Sequence, residues 1–138
     1  MPPTSSSQPI AAESKELLGK LRNLLLEQHK LLLDRERGEY EKSHGPIGGP
    51  GPFLTLVLGH PQFAWLKEIS NLVVEIDEAI SRRSKAEQPV ADALIAQARS
   101  IMKPRKEGTD FQRRYYAAVQ ESPGIVIGQC RVERLLGI

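Results

Sequence analysis

The clearest structural signal in this sequence lies in residues 61–80. With successive residues placed 100° apart, as on an α-helix, six apolar side chains fall within about 60° of one line. They are Trp65, Ile69, Leu72, Ile76, Ala79 and Ile80. The opposite side carries Lys67, Asn71 and Glu78. The pattern predicts one amphipathic helix over 61–80 whose apolar face, with the only tryptophan, lies in the core. We expect the other segments to be arranged around that face.

The length and composition favour one helical domain. A chain of 138 residues is long enough to bury most of its apolar surface in a single core. Aromatic residues make up 5% of the chain. The apolar character therefore comes mainly from aliphatic side chains, which favours a helical bundle over a β-sandwich. Residues 1–12 are rich in Pro and Ser and predict a disordered or loosely docked tail. Residues 13–138 form the predicted domain.

The first half of that domain predicts a long helix, a loop and a short helix. Leucines recur at three- and four-residue spacing through residues 13–43, as on a continuous helix. The segment GPIGGPGP, residues 45–52, carries four glycines and three prolines and predicts a loop. Residues 53–58, FLTLVL, follow Pro52 and precede Gly59, which suits a short helix better than an isolated strand.

The second half predicts three further elements from their boundary residues. A third helix begins at Pro89 and ends before Pro104. Thr109 and Gln112 form a capping-box pattern for a fourth helix. Ser122, followed by a proline, matches the start of a fifth element. Its IVI run and its glycines leave helix and strand open as alternatives.

Together these elements predict an all-α fold, an up-and-down bundle of four main helices with short extra helical segments. The first helix would be about 45 Å long, against about 30 Å for its neighbours. Its leucines cover more than one face, from Leu31 round to Leu26. One partner helix would not cover that much apolar surface, so the sequence predicts a homodimer.

The candidate site residues are polar groups on apolar helix faces. His29 and Glu36 lie two turns apart inside the leucine stripe of the first helix. With Asp77 of the central helix they form a candidate polar cluster that could hold a small molecule or a metal ion. The alternative is that His29 and Glu36 are structural and pair with neighbouring helices. Carboxylate-bridged metal bundles use Glu-x-x-His pairs, which this sequence lacks. We therefore expect no metal, no cofactor and no catalytic group.

A basic region follows the central helix. Residues 83–114 carry eight basic and four acidic side chains, a local charge of +4. The candidate patch consists of Arg99, Lys103, Arg105, Lys106, Arg113 and Arg114. Such a patch could contact a nucleic-acid backbone. It has no aromatic stacking pattern and no dense basic run, so a solvated surface is the preferred interpretation and nucleic acid is not an expected partner.

Targeting signals point to an ordinary cytoplasmic protein. The first 14 residues contain no Lys or Arg and no apolar core of a signal peptide. No run of 18 apolar residues occurs, so we expect no membrane span. The single cysteine, Cys130, excludes an intramolecular disulfide and a multi-cysteine metal site.

Two stretches resemble a group of small bacterial helical proteins with no assigned activity. They are HKLLLDRERGEYEKSHGPI (29–47) and HPQFAWLKEISNLVVEIDEAI (60–80). The group shares an H-x-x-L-L-D-x-E-R-x-x-Y-E stretch, a Gly/Pro loop and D-P-x-F-A-W-L running into V-x-x-I-D-E. The matching positions are His29, Asp34, Glu36, Arg37, Tyr40, Glu41, Phe63, Trp65, Asp77 and Glu78. His60 stands where that group has an aspartate able to cap a helix. The resemblance implies a bacterial, all-helical protein and no particular activity.

Three functional hypotheses follow. The leading one is a non-enzymatic helical protein that acts through protein–protein contact as a homodimer. The second is a small-molecule or metal-binding bundle, or an enzyme, that uses His29, Glu36 and Asp77. The third is weak nucleic-acid binding through residues 99–114.

Overall fold

The computed structural model describes residues 8–138, and that part of the chain is helical without a β-strand. The helices are α1 (Ala12–His44), α2 (Pro50–Gly59), α3 (Pro61–Ala64), α4 (Lys67–Ile80), α5 (Gln88–Ile101), α6 (Asp110–Glu121) and α7 (Pro123–Leu136). The predicted all-α class is confirmed. Of the described helices, none combines the length and apolar character needed to cross a bilayer.

The long helix α1 is the packing centre of the molecule. It contacts α4, α7, α5 and α3. Its fully buried leucines are Leu18, Leu21, Leu25 and Leu32. The predicted apolar face of α4 is buried, with Ile69, Leu72 and Ile76 wholly removed from solvent. The predicted apolar face is confirmed. The helix at the centre of the packing, however, is α1 and not the segment 61–80.

Most of the apolar surface of α1 is covered within the chain. Among its leucines only Leu26, at 40%, and Leu31, at 37%, remain exposed. The others pack against α4 on one side and α7 on the other. The uncovered leucine surface of α1 is therefore smaller than the sequence pattern suggests, and the homodimer stays a prediction.

The segment 61–80 is two helices, not one. The backbone hydrogen-bond pattern changes at Trp65 and Leu66. There the Leu66 amide donates to Phe63 O at 3.2 Å and the Ile69 amide donates to Leu66 O at 3.1 Å. These are i to i−3 bonds of the 3₁₀ type. The cause is burial of three closely spaced side chains, Phe63, Trp65 and Leu66, which cannot share one face of a regular α-helix.

The N-terminal segment is docked before α1 begins. Ile10 is only 6% exposed. The Ala11 amide donates to Gln88 Oε1 at 2.7 Å, and the Gln88 amide donates to Gln8 O at 3.0 Å. The predicted tail over residues 1–12 is thus too long: residues 8–11 pair with the start of α5, and residues 1–7 lie outside the described part of the chain.

Helices α6 and α7 begin where the boundary residues predict. The Gln112 amide donates to Thr109 Oγ1 at 3.1 Å, and the Thr109 amide donates to Gln112 Oε1 at 3.0 Å, which completes the capping box. Ser122 Oγ accepts from the Ile125 amide at 3.4 Å. Residues 123–136 are therefore a helix, and the strand alternative is excluded.

Candidate functional site

The candidate polar cluster of His29, Glu36 and Asp77 does not converge. Asp77 is ion-paired with Arg22, which lies 14 residues before Glu36 on α1. At 1.5 Å per residue the two positions are about 21 Å apart along the helix axis. His29 and Glu36 are likewise separated by about 10 Å. The three side chains therefore do not form one site.

Glu36 is a buried structural group, 6% exposed. Its Oε1 accepts from Arg35 Nη1 at 2.8 Å, and its Oε2 accepts from Gln62 Nε2 at 3.2 Å. The same amide nitrogen of Gln62 reaches the Glu36 backbone carbonyl at 3.1 Å. Arg35 continues the network to Glu121 at 2.7 Å. The carboxylate of Glu36 thus ties α1 to α3, as the structural alternative predicts.

His29 lies half-buried on α1. Burial lowers the pKa of its imidazole. Within residues 8–138 it makes no side-chain hydrogen bond, and no group of three or more His, Cys, Asp or Glu side chains is arranged to hold a metal ion. His29 is accordingly a neutral packing residue.

The predicted basic patch is partly engaged in the fold. Arg114 Nε lies 3.1 Å from Asp110 Oδ2, and Arg113 lies 3.5 Å from Asp110 Oδ1. Arg99 donates to the carbonyl of Leu136 at 3.1 Å. The exposed remainder is Lys103, Arg105 and Lys106, in the connection between α5 and α6. Three of the six side chains therefore have protein partners.

An aromatic cluster, which sequence patterns do not indicate, lies where α1, α2 and α3 meet. It consists of Tyr40, His44, Phe53, His60 and Phe63. The Tyr40 and His44 rings stack at 4.2 Å between centroids, and His60 meets Tyr40 edge-on at 5.2 Å. Phe53 of α2 meets Phe63 edge-on at 5.9 Å. The cluster anchors α2 to the end of α1.

His60 caps two helices at once. Its backbone amide donates to Leu56 O at 2.7 Å and ends α2. Its Nδ1 lies 3.1 Å from the Gln62 amide, the first turn of α3. A backbone amide only donates, so Nδ1 is the acceptor and the proton of the neutral ring is on Nε2. The imidazole supplies the helix cap that an aspartate would otherwise provide.

The neighbouring histidine has the opposite tautomer. His44 Nδ1 lies 3.1 Å from the carbonyl of Tyr40, which only accepts, so Nδ1 carries the proton. The His44 and His60 rings are 6.3 Å apart. A metal between them would need a lone pair on His60 Nε2, and that would require loss of the α3 cap. The arrangement favours a structural role for this pair.

The outer face of α2 is apolar and open. None of the residues of α2 is buried, and residues 45–59 include no charged side chain. Leu54 is 57% exposed and Leu58 is 64% exposed. Four residues apart, they share one helix face, while Phe53 points toward the aromatic cluster. The aromatic cluster therefore holds the inner side of α2, and the outer side of this helix is an apolar surface exposed to solvent.

A polar network crosses the core between α1, α6 and α7. Gln28 Nε2 donates to Tyr115 Oη at 2.7 Å and to Ile125 O at 3.1 Å. Tyr115 Oη donates to Gln129 Oε1, and Gln129 Nε2 donates to Met102 O at 2.9 Å. Burial raises the pKa of the Tyr115 phenol, so it stays protonated and joins the two amides.

Neither the internal network nor the aromatic cluster holds the nucleophile, base and anion-binding groups that an enzyme site combines. The arrangement is chemically suited to fixing helices in register and to presenting α2. Comparison with protein-family models, with curated protein sequences and with solved structures gives no match for this chain.

Proposed function

We propose that this protein is a non-enzymatic helical protein that acts through protein–protein contact and self-associates through the outer face of α2. One observation carries the proposal: the most apolar helix of the chain buries no residue, and Leu54 and Leu58 are both more than half exposed. An apolar stripe of this kind is typical of an interaction surface.

A second copy of the chain is the partner that the charge pattern favours. A two-fold symmetric interface pairs the same patch from both subunits, so a patch with charge of a single sign would face its own charge. The segment 45–59 has no charged side chain and avoids that conflict. Gly51, one turn before Leu54, leaves room for close approach of a second helix.

The expected affinity is modest. Covering the exposed parts of four leucine side chains, two from each copy, contributes about 4–6 kcal/mol before association costs. Association costs take up much of this contribution, so we expect a Kd on the order of 1 mM. Self-association should therefore depend on concentration.

The Leu54→Glu/Leu58→Glu double variant tests the proposal, because it places four like charges in the interface. We expect the parent protein to dimerise with rising concentration in sedimentation equilibrium and the variant to stay monomeric. Val74→Glu is the matched control, since Val74 is 54% exposed on α4, away from α2. Circular dichroism confirms that each variant is folded.

The proposal is wrong if the parent stays monomeric up to about 1 mM, where a Kd of that order would already pair a large part of the chains, or if Val74→Glu has the same effect. Binding of the parent to phospholipid vesicles, abolished by the same double variant, would assign α2 to a membrane surface instead.

The same proposal includes the arrangement and setting of the protein. We infer an up-and-down bundle of α1, α4, α5 and α7, which the antiparallel contacts of Arg22 with Asp77 and Gln28 with Ile125 support. A cytoplasmic location is supported by the exposed thiol of Cys130, which suits a reducing compartment. Kinship with the small bacterial helical proteins remains part of the proposal.

A further inference from the structure

A groove runs along the outer side of α1 and α7. One section encloses about 640 Å³ between Leu24 and Leu135, and the next encloses about 380 Å³ between Leu31 and Ile127. Glu27 and Arg131 line both sections, so the two are adjacent along α1 and α7. The floor is aliphatic, and its side chains are only partly covered by the rest of the chain.

The shape of the groove suits a helix better than a compact ligand. It extends from Lys20 to Asp34, about 21 Å along α1, or roughly four helical turns. Leu24 and Leu31, seven residues apart, line its α1 edge. That heptad spacing is the one with which a helix packs alongside another helix. Small-molecule pockets, in contrast, enclose most of their ligand.

The charges on the rim favour an acidic occupant. Arg131 and Arg134, on the α7 side, have no ion-pair partner within the described residues. Lys20, at the same end of the groove, is exposed and pairs only with its helix neighbour Glu16. Glu27 is the one acidic side chain of this section. The basic groups therefore outnumber the acidic ones beside the larger section.

We propose that this groove binds an amphipathic helix of a partner protein, with aliphatic side chains on the floor and acidic side chains along the α7 rim. This mode, an amphipathic helix laid into an apolar groove, is a general one in peptide recognition. The site lies on α1 and α7 and does not involve α2, so it is independent of the proposed self-association.

The probe is a fluorescein-labelled three-heptad peptide with leucine at the a and d positions and glutamate at e and g. Its counterpart carries lysine at e and g. Repulsion between like charges keeps each free peptide from pairing with itself. In fluorescence anisotropy titrations at low salt we expect the acidic peptide to bind the parent protein at least about tenfold more tightly than the basic peptide.

Two charge-reversal variants locate the site. In Arg131→Glu/Arg134→Glu the preference should reverse in favour of the basic peptide. Arg82→Glu/Arg83→Glu changes the net charge equally, and both of its positions are exposed in the α4–α5 connection. It should keep the preference for the acidic peptide. Leu31→Ala/Ile127→Ala should weaken binding of the acidic peptide by about tenfold without reversing the preference.

Equal binding of the two peptides to the parent, or an equal response of the two charge-reversal variants, would overturn the assignment. The Leu54→Glu/Leu58→Glu variant should bind the acidic peptide as the parent does. Failure of the groove proposal is thereby distinguished from failure of self-association through α2.

Discussion

Gly128→Ala is expected to destabilise the protein by about 2–3 kcal/mol, despite the better helix propensity of alanine. A Cβ at position 128 would lie 1.8 Å from Gln28 Oε1 and 2.4 Å from Gln28 Cδ. Gln28 is fully buried and hydrogen-bonded to Tyr115 and to Ile125 O. Its side chain cannot move aside without leaving buried polar groups unpaired, which costs about 1–3 kcal/mol for each group. Urea unfolding followed by circular dichroism measures the change.

Gly19→Ala is the matched control for this substitution. Gly19 is also helical, and no atom lies within 4 Å of the position its Cβ would take. At position 19 alanine has a higher helix propensity than glycine and meets no steric clash. We therefore expect Gly19→Ala to raise the free energy of unfolding by about 0.5–1 kcal/mol. In a Gln28→Ala background the obstruction at position 128 is gone, and Gly128→Ala should cost little. An equal cost in both backgrounds would mean that the contact with Gln28 is not the cause.

Local chemistry was enough to predict several helix boundaries. The capping box at Thr109 and the cap at Ser122 involve residues three positions apart, so their hydrogen bonds do not depend on tertiary contacts. The break at Trp65 has a different origin. It follows from burial of Phe63, Trp65 and Leu66 together, and that burial is decided by helices distant in sequence.

The position of α1 illustrates a limit of periodicity. Leucines on several faces of one helix indicate either an uncovered surface or a helix covered from more than one side. The sequence pattern favoured the first interpretation, and hence a dimer through α1. In the structure α4 and α7 cover α1 from two sides, so most of its leucines mark the centre of the fold, while Leu26 and Leu31 stay exposed.

The candidate site was less predictable than the fold. His29 and Glu36 do lie on one line of α1, as helical geometry requires. Asp77, in contrast, pairs with Arg22. The register of α4 against α1 determines that contact, and the periodicity of neither helix predicts the register. The aromatic cluster joins Tyr40, Phe53 and Phe63 across a Gly/Pro loop. Only the path of that loop, and no spacing in the sequence, brings these rings together.

Ile76→Ala should destabilise the protein by about 2–4 kcal/mol, because Ile76 is fully buried in the core that α1 and α4 share. Its neighbour Val74 lies on the same helix but is 54% exposed, so Val74→Ala should change the free energy of unfolding by less than about 0.5 kcal/mol. Urea unfolding of the two variants against the parent measures both. The contrast depends on which face of α4 packs against α1. Similar costs for the two substitutions would contradict that packing, and with it the position of α1 at the centre of the fold.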